Sequence, residues 1–283
     1  MKTRQAGLEK SSTTPIWWPL RIWMGVEVAF GLAAIGAIFL RPQDTQENFA
    51  WPIQPVVMAA FLGGFYFASA FLFVPAIFAR TWQEVRAIII PAAVFTTVML
   101  VATVIHWDRF SVGTLPFYVW LASYLLPPPV FAALYLWHQK RSSPVGSEIV
   151  SSLPPWVRNF LGTNGLVLTA LAALMFVVPS LLQKIGPWDF TPLTVRTLCG
   201  WLMAVGLLQF WMSRENDWDR VKLPSVMLML LPAALIFQLL RFRDQVVWAN
   251  AGLWVFLADL AVVAVILAFL WKPRPQVHLR EDG

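Results

Sequence analysis

Residues 249–271 read ANAGLWVFLADLAVVAVILAFLW, twenty-three positions with a single charged side chain, Asp259. A helix rises about 1.5 Å per residue, so roughly 20 apolar residues cross the hydrocarbon core of a bilayer. This stretch is long enough to span, and it lacks the polar stripe that a surface helix of a soluble protein carries. Seven further runs of the same kind lie at 22–40, 56–78, 87–105, 115–137, 160–182, 195–211 and 223–240. Eight spans predict an all-α, polytopic transmembrane helix bundle.

Composition supports that reading. Apolar residues make up 58% of the 283 positions and charged residues 13%, about half the ~25% of an ordinary soluble protein. Within the eight runs only Glu27, Arg196 and Asp259 are charged. One cysteine, Cys199, excludes a disulfide scaffold. The net charge of +6 does not point to nucleic acid, because it resolves into an orientation. Eight spans put both termini on one side, together with fifteen of the 21 Lys and Arg. The other six are Arg41, Arg109, Lys184, Arg196, Arg241 and Arg243. Under the positive-inside rule both termini are cytoplasmic, and the expected location is a bacterial cytoplasmic (inner) membrane. Trp17, Trp18, Trp51, Trp82, Trp107, Trp137, Trp188, Trp211, Trp218, Trp248 and Trp271 stand at or near span ends. They are expected to anchor at the membrane–water interface.

The second half of the chain resembles the first at a nearly constant offset. Arg21 and Arg158, and Pro55 and Pro192, are 137 positions apart; Trp82 and Trp218 are 136 apart; Trp120 and Trp254, and Trp137 and Trp271, are 134 apart. The inner loops TWQEVR (81–86) and DWDRVK (217–222) show the likeness directly. The expected organisation is a tail (1–15), a four-helix repeat (16–137), a Pro/Ser-rich linker (138–157), a second repeat (158–271) and a tail (272–283). An even number of spans per half makes such repeats parallel.

Intramembrane acids are the sharpest candidates for function, since a carboxylate at mid-bilayer costs about 2.5–3.5 kcal/mol even on lenient scales. Asp259 is the eleventh residue of its run, and its neighbours Val255, Phe256, Val262 and Val263 cannot pair with it. Its counterpart in the first half is Leu125, directly before Pro127, Pro128 and Pro129. Those prolines lack N–H groups and free the carbonyls of Ser123, Tyr124 and Leu125. A site between the repeats is expected to combine Asp259 with this broken backbone. Glu27 and its counterpart Asn164 add a polar group in each half. Gly25, Ala29, Ala33 and Ala37, at steps of four, read as a close-packing seam. At the outer rim His106, Asp108 and Arg109 face Arg241 and Arg243 in the other half, a paired polar cluster that could receive an anion.

No catalytic motif is recognisable. The three histidines lie at different depths, and HExxH, CxxC, Walker and GxSxG patterns are missing. No cofactor or metal is expected, and no nucleophile–base pair suggests an enzyme. Two readings follow. The first is a small proton- or cation-coupled transporter or channel-like protein. The second is a non-catalytic membrane subunit, scaffold or assembly factor. Expected partners are the lipid bilayer and, for the second reading, another membrane protein or a second copy of the chain.

Overall fold

The computed structural model describes residues 14–141, 149 and 151–271. The two tails, apart from Thr14 and Pro15, and most of the linker's first half therefore lie outside the described residues. Eight helices are long and apolar enough to cross a membrane: α1 (Trp18–Leu40), α2 (Val56–Phe78), α3 (Trp82–Ile105), α4 (Leu115–Arg141), α5 (Pro155–Val177), α6 (Pro192–Glu215), α7 (Trp218–Arg241) and α8 (Ala251–Leu270). This fits a multi-pass membrane protein. Among the described residues no strand forms.

Local chemistry sets the ends. Trp82 and Trp218, expected in loops, open helices instead. Thr81 and Glu84 form a reciprocal capping box before α3, and the Asp217 side chain accepts from Asp219 N at 3.0 Å before α7. Asn250 caps α8 by accepting from Leu253 N at 2.9 Å. The fifth helix stops at Val177, earlier than expected. Val178 precedes a proline, which disfavours helical backbone, and a short helix, Ser180–Ile185, follows. The last turns of α1, Ile35–Leu40, are π-helical. The fourth helix breaks as the prolines predict, into Leu115–Leu125 and Pro127–Arg141.

Burial divides the bundle into a centre and a periphery. In their most apolar stretches α2 and α6 are 72% and 78% buried, whereas α1 and α5 are 22% and 17% buried. At the centre α2 packs on α7, α3 on α6 and α3 on α7. Outside them α1 packs on α2, α5 on α6, α4 on α3 and α8 on α7.

The close-packing seam falls elsewhere than expected. A side chain at Gly25 would meet nothing within 4 Å, whereas a Cβ at Gly63 would come to 2.6 Å from Ile38 O. Gly165 and Gly206 bring α5 and α6 together in the same way, a Cβ on Gly206 lying 2.7 Å from Gly165 O. Of the Gly25 row, Ala29 and Ala33 are exposed and Gly25 borders open space, while only Ala37 is buried in the core. The tryptophans also divide. Trp18, Trp107 and Trp271 are exposed, as interface anchors would be, but Trp51, Trp82 and Trp188 are core residues. Trp51 packs edge-on against Phe110 and Trp120, and Trp82 stacks on His138.

The chain entering each half is held to a later loop of that half. Trp82 N donates to Thr14 O at 2.9 Å, and Trp218 N donates to Ser151 O at 2.8 Å. At the opposite end Ser111 N donates to Ala50 O at 2.9 Å, and Val247 N to Pro187 O at 2.8 Å. Short 3-10 turns, Trp107–Arg109 and Arg243–Gln245, follow α3 and α7.

Candidate functional site

A cavity of about 260 Å³ lies inside the first half, closed at its back by α6 and α7. Glu27 and Gly31 of α1, Tyr66 and Ser69 of α2, Thr96 of α3, Ser123 and Tyr124 of α4, and Trp201 of α6 line it. The position of each follows from the packing. Gly63 lets α1 approach α2 closely, and the segment of α4 before the proline break, Leu115–Leu125, packs on α1 and α3.

Most polar groups on this wall are already satisfied. Tyr66 and Tyr124 share a hydrogen bond between their hydroxyls. Ser69 Oγ donates to Tyr66 O at 2.8 Å, Ser123 Oγ to Trp120 O at 2.8 Å, and Thr96 Oγ1 to Ala92 O at 2.9 Å. Trp120 Nε1 donates to Thr103 Oγ1 at 2.9 Å. Glu27 differs. Trp23 Nε1, one turn earlier on α1, interacts with its carboxyl, though no hydrogen bond of good geometry reaches Glu27 Oε1. Asn48, at the opposite rim of the cavity, donates through Nδ2 to Ala37 O and Arg41 O, both at 3.3 Å. Its Oδ1 is buried and unpartnered. Two acceptor oxygens and the Trp201 Nε1 donor, all on residues that line the cavity, thus lack hydrogen bonds in a place where an unpaired polar atom costs about 1–3 kcal/mol.

Asp259 is elsewhere. It is half-buried on α8 and interacts with the Asn164 side chain of α5. Asn164 Nδ2 in turn donates to Gln209 Oε1 of α6 at 3.0 Å, and Gln209 is fully buried. The expected meeting of Asp259 with the proline break does not occur: α8 packs on α7, whereas α4 packs on α3 and α1. Leu125 is half-exposed and lines nothing polar. Adding 134 to a residue number identifies counterparts in two different places; it does not bring them together. Ser123 and Tyr124 gather around Glu27 instead.

The outer candidates separate too. Asp108 and Arg109 pair with one another at 3.2 Å in full solvent, and Arg243 lies 3.8 Å from Asp244. Arg241 donates to Phe39 O at 2.8 Å and Leu40 O at 2.9 Å, closing the carbonyl end of α1. Arg196, on α6, closes the end of α5 through Phe176 O at 3.1 Å and also meets His106 Nε2 at 2.6 Å. Burial and the Arg196 guanidinium lower the His106 pKa below its usual 6.5. A neutral imidazole then accepts from the arginine. These groups hold helix ends together and leave no shared anion site.

Comparison of the chain with protein-family models, curated proteins and solved structures gives no match. The chemistry of the site therefore rests on its own geometry. Among the described residues no group of three His, Cys, Asp or Glu stands close enough to hold a metal ion.

Sequence reading missed Tyr66, Asn48, Trp201 and Gln209. Tyr66 carried a signal, since it and Ser69 interrupt an otherwise apolar run on α2. Asn48 carried none, because it sits in a polar outer loop that the fold brings over the cavity mouth.

Proposed function

We propose that the chain is a small proton- or cation-coupled transporter of a bacterial cytoplasmic membrane, with both termini in the cytoplasm and its site in the Glu27 cavity. One observation carries this reading: a carboxyl on a membrane helix lines a cavity, touched by the Trp23 indole and with one oxygen left without a hydrogen bond. A purely structural acid would gain by pairing, because an unpartnered carboxyl in apolar surroundings is costly. An acid that binds and releases a proton or cation is unpaired between those events.

The architecture we propose is two parallel four-helix repeats, 16–137 and 158–271. The matched hydrogen bonds Thr14–Trp82 and Ser151–Trp218, displaced by 137 and 136 positions, support it. So do the paired contacts α2–α7 and α3–α6, which exchange under a two-fold axis along the membrane normal. On this reading one half keeps an open acidic site. The other has filled the corresponding region with the Gln209–Asn164–Asp259 chain.

Purified protein in proteoliposomes under an imposed pH gradient tests the function. Wild type is expected to carry a proton flux that Glu27→Gln removes and Asp259→Asn leaves largely intact. Equal flux in wild type and Glu27→Gln would overturn the reading. Absence of any flux, together with co-purification of one defined membrane protein, would favour the accessory-subunit role.

A further inference from the structure

We propose that the Glu27 cavity binds an amphipathic organic cation, an aromatic or alkyl ammonium, that enters sideways from the bilayer. This rests on the reading of the cavity as a ligand site and adds the chemical class.

Three features define the ligand. The first is charge. Glu27 is the one carboxyl among the described residues that line the cavity, and the unpartnered buried atoms of that lining are two acceptors, Glu27 Oε1 and Asn48 Oδ1, against one donor, Trp201 Nε1. The hydroxyls of Ser69, Ser123 and Thr96 are already committed to backbone carbonyls of their own helices. Arg and Lys are missing from the lining, so an anion would find no counter-charge. A ligand that brings positive charge completes the site.

The second feature is the wall. Phe30, Phe73, Phe95, Trp120, Tyr124 and Trp201 line the same cavity as the Glu27 carboxyl. Rings present a negative face to a cation, an attraction of about 2 kcal/mol or more when water is excluded. A hydrated metal ion would gain little from such a wall and would lose its water shell. An ammonium bearing carbon substituents keeps its charge, sheds little hydration and buries apolar surface against the rings.

The third feature is access. α1 packs chiefly on α2 and touches the outer part of α4 only sparsely. Between those two helices the lining reaches the outside of the bundle at Ala33 and at Leu115, whose surface is 76% exposed. The gap is apolar and lies along the flank of the bundle. A molecule dissolved in the membrane can reach Glu27 through it without crossing a charged rim.

The test uses the full chain in nanodiscs and radiolabelled benzyltrimethylammonium as the probe. Saturable binding is expected, displaced by unlabelled benzyltrimethylammonium and not by neopentylbenzene, which has the same shape without the charge. Glu27→Gln should weaken binding about tenfold or more, the scale of one charge-assisted contact. Glu27→Asp should retain much of it, which separates loss of charge from loss of fold. Ala33→Phe, at the flank opening, should slow association. Equal displacement by neopentylbenzene, or equal affinity in Glu27→Gln, overturns the cation site; an unchanged association rate in Ala33→Phe overturns lateral access. Glu27-dependent proton flux without probe binding would remove the ligand class and leave the transporter reading standing. Probe binding without any flux would do the reverse.

Discussion

His106 joins two helices through Arg196, and its protonation should be visible in stability. Burial and the neighbouring guanidinium hold its pKa below 6.5 in the folded chain. As pH falls through 6.5 the unfolded chain takes up a proton that the folded chain refuses, so stability is present above that value and declines below it. The decline ends once the folded imidazole also protonates. Thermal unfolding in detergent should show a lower midpoint at about pH 5 than at about pH 7.5, and His106→Gln should flatten the difference. A protein whose pH dependence is the same in the variant would show that His106 is not the group responsible. At this scale the sequence was informative about which residues are unusual and silent about their partners. Asp259 and Glu27 stand out as lone acids in apolar runs. Whether an acid meets an amide from another helix, as Asp259 meets Asn164, or lines a cavity beside an indole of its own helix, as Glu27 does, depends on which helices touch.

Helix packing makes the same point one level up. Existence and number of the spans were legible because apolar length is a property of each run by itself. Ends were less so: α3 and α7 begin at Trp82 and Trp218 because caps at Thr81 and Asp217 satisfy the first N–H groups. Those caps are polar residues that hydropathy alone assigns to loops. The proline break in α4 was legible for the opposite reason, since three missing N–H groups act locally. Small residues at helical spacing were a poor guide to contact. Gly206→Ala places a Cβ 2.5 Å from Thr169 Oγ1 and 2.7 Å from Gly165 O, which should cost about 1–3 kcal/mol or more by forcing α5 from α6. Gly25→Ala, inside α1, meets nothing within 4 Å and should leave stability unchanged or raise it by up to about 1 kcal/mol, since alanine favours helix over glycine. Chemical or thermal unfolding of the two variants side by side checks the contrast.

Across the whole molecule, the two halves meet through apolar helix faces, through the arginine contacts of Arg196 and Arg241, and through an ion-pair cluster around Glu215. Arg86, at the start of α3, donates through Nε to both carboxylate oxygens of Glu215, at the end of α6, at 2.7 and 2.8 Å. Arg220 lies 3.9 Å from the same carboxylate and 3.5 Å from Asp217. Glu215 is nearly fully buried, so removing its charge leaves two guanidinium groups under-compensated. Glu215→Gln should destabilise the protein by about 2 kcal/mol, and Arg86→Gln in the same background should add less than it does alone. Additive losses in that cycle would mean that the pair is not coupled. None of the residues in the Glu215 cluster looked unusual in the sequence, because each lies among other charges at a span end.

The two clasps between chain and loop, Thr14 with Trp82 and Ser151 with Trp218, have a consequence for assembly. Each ties an incoming segment to its own four helices and none bridges the join between Arg141 and Ile149. The halves are then expected to assemble without a covalent connection there, because among the described residues they are paired by helices and loops on either side of it, as in Arg86–Glu215, Arg196–His106 and Val57–Gln245. Two separate polypeptides, 1–144 and 145–283, co-expressed from one cell, should find each other in the bilayer and co-purify as a stoichiometric pair. Either fragment produced alone should expose the faces of α2, α3, α6 or α7 and be degraded.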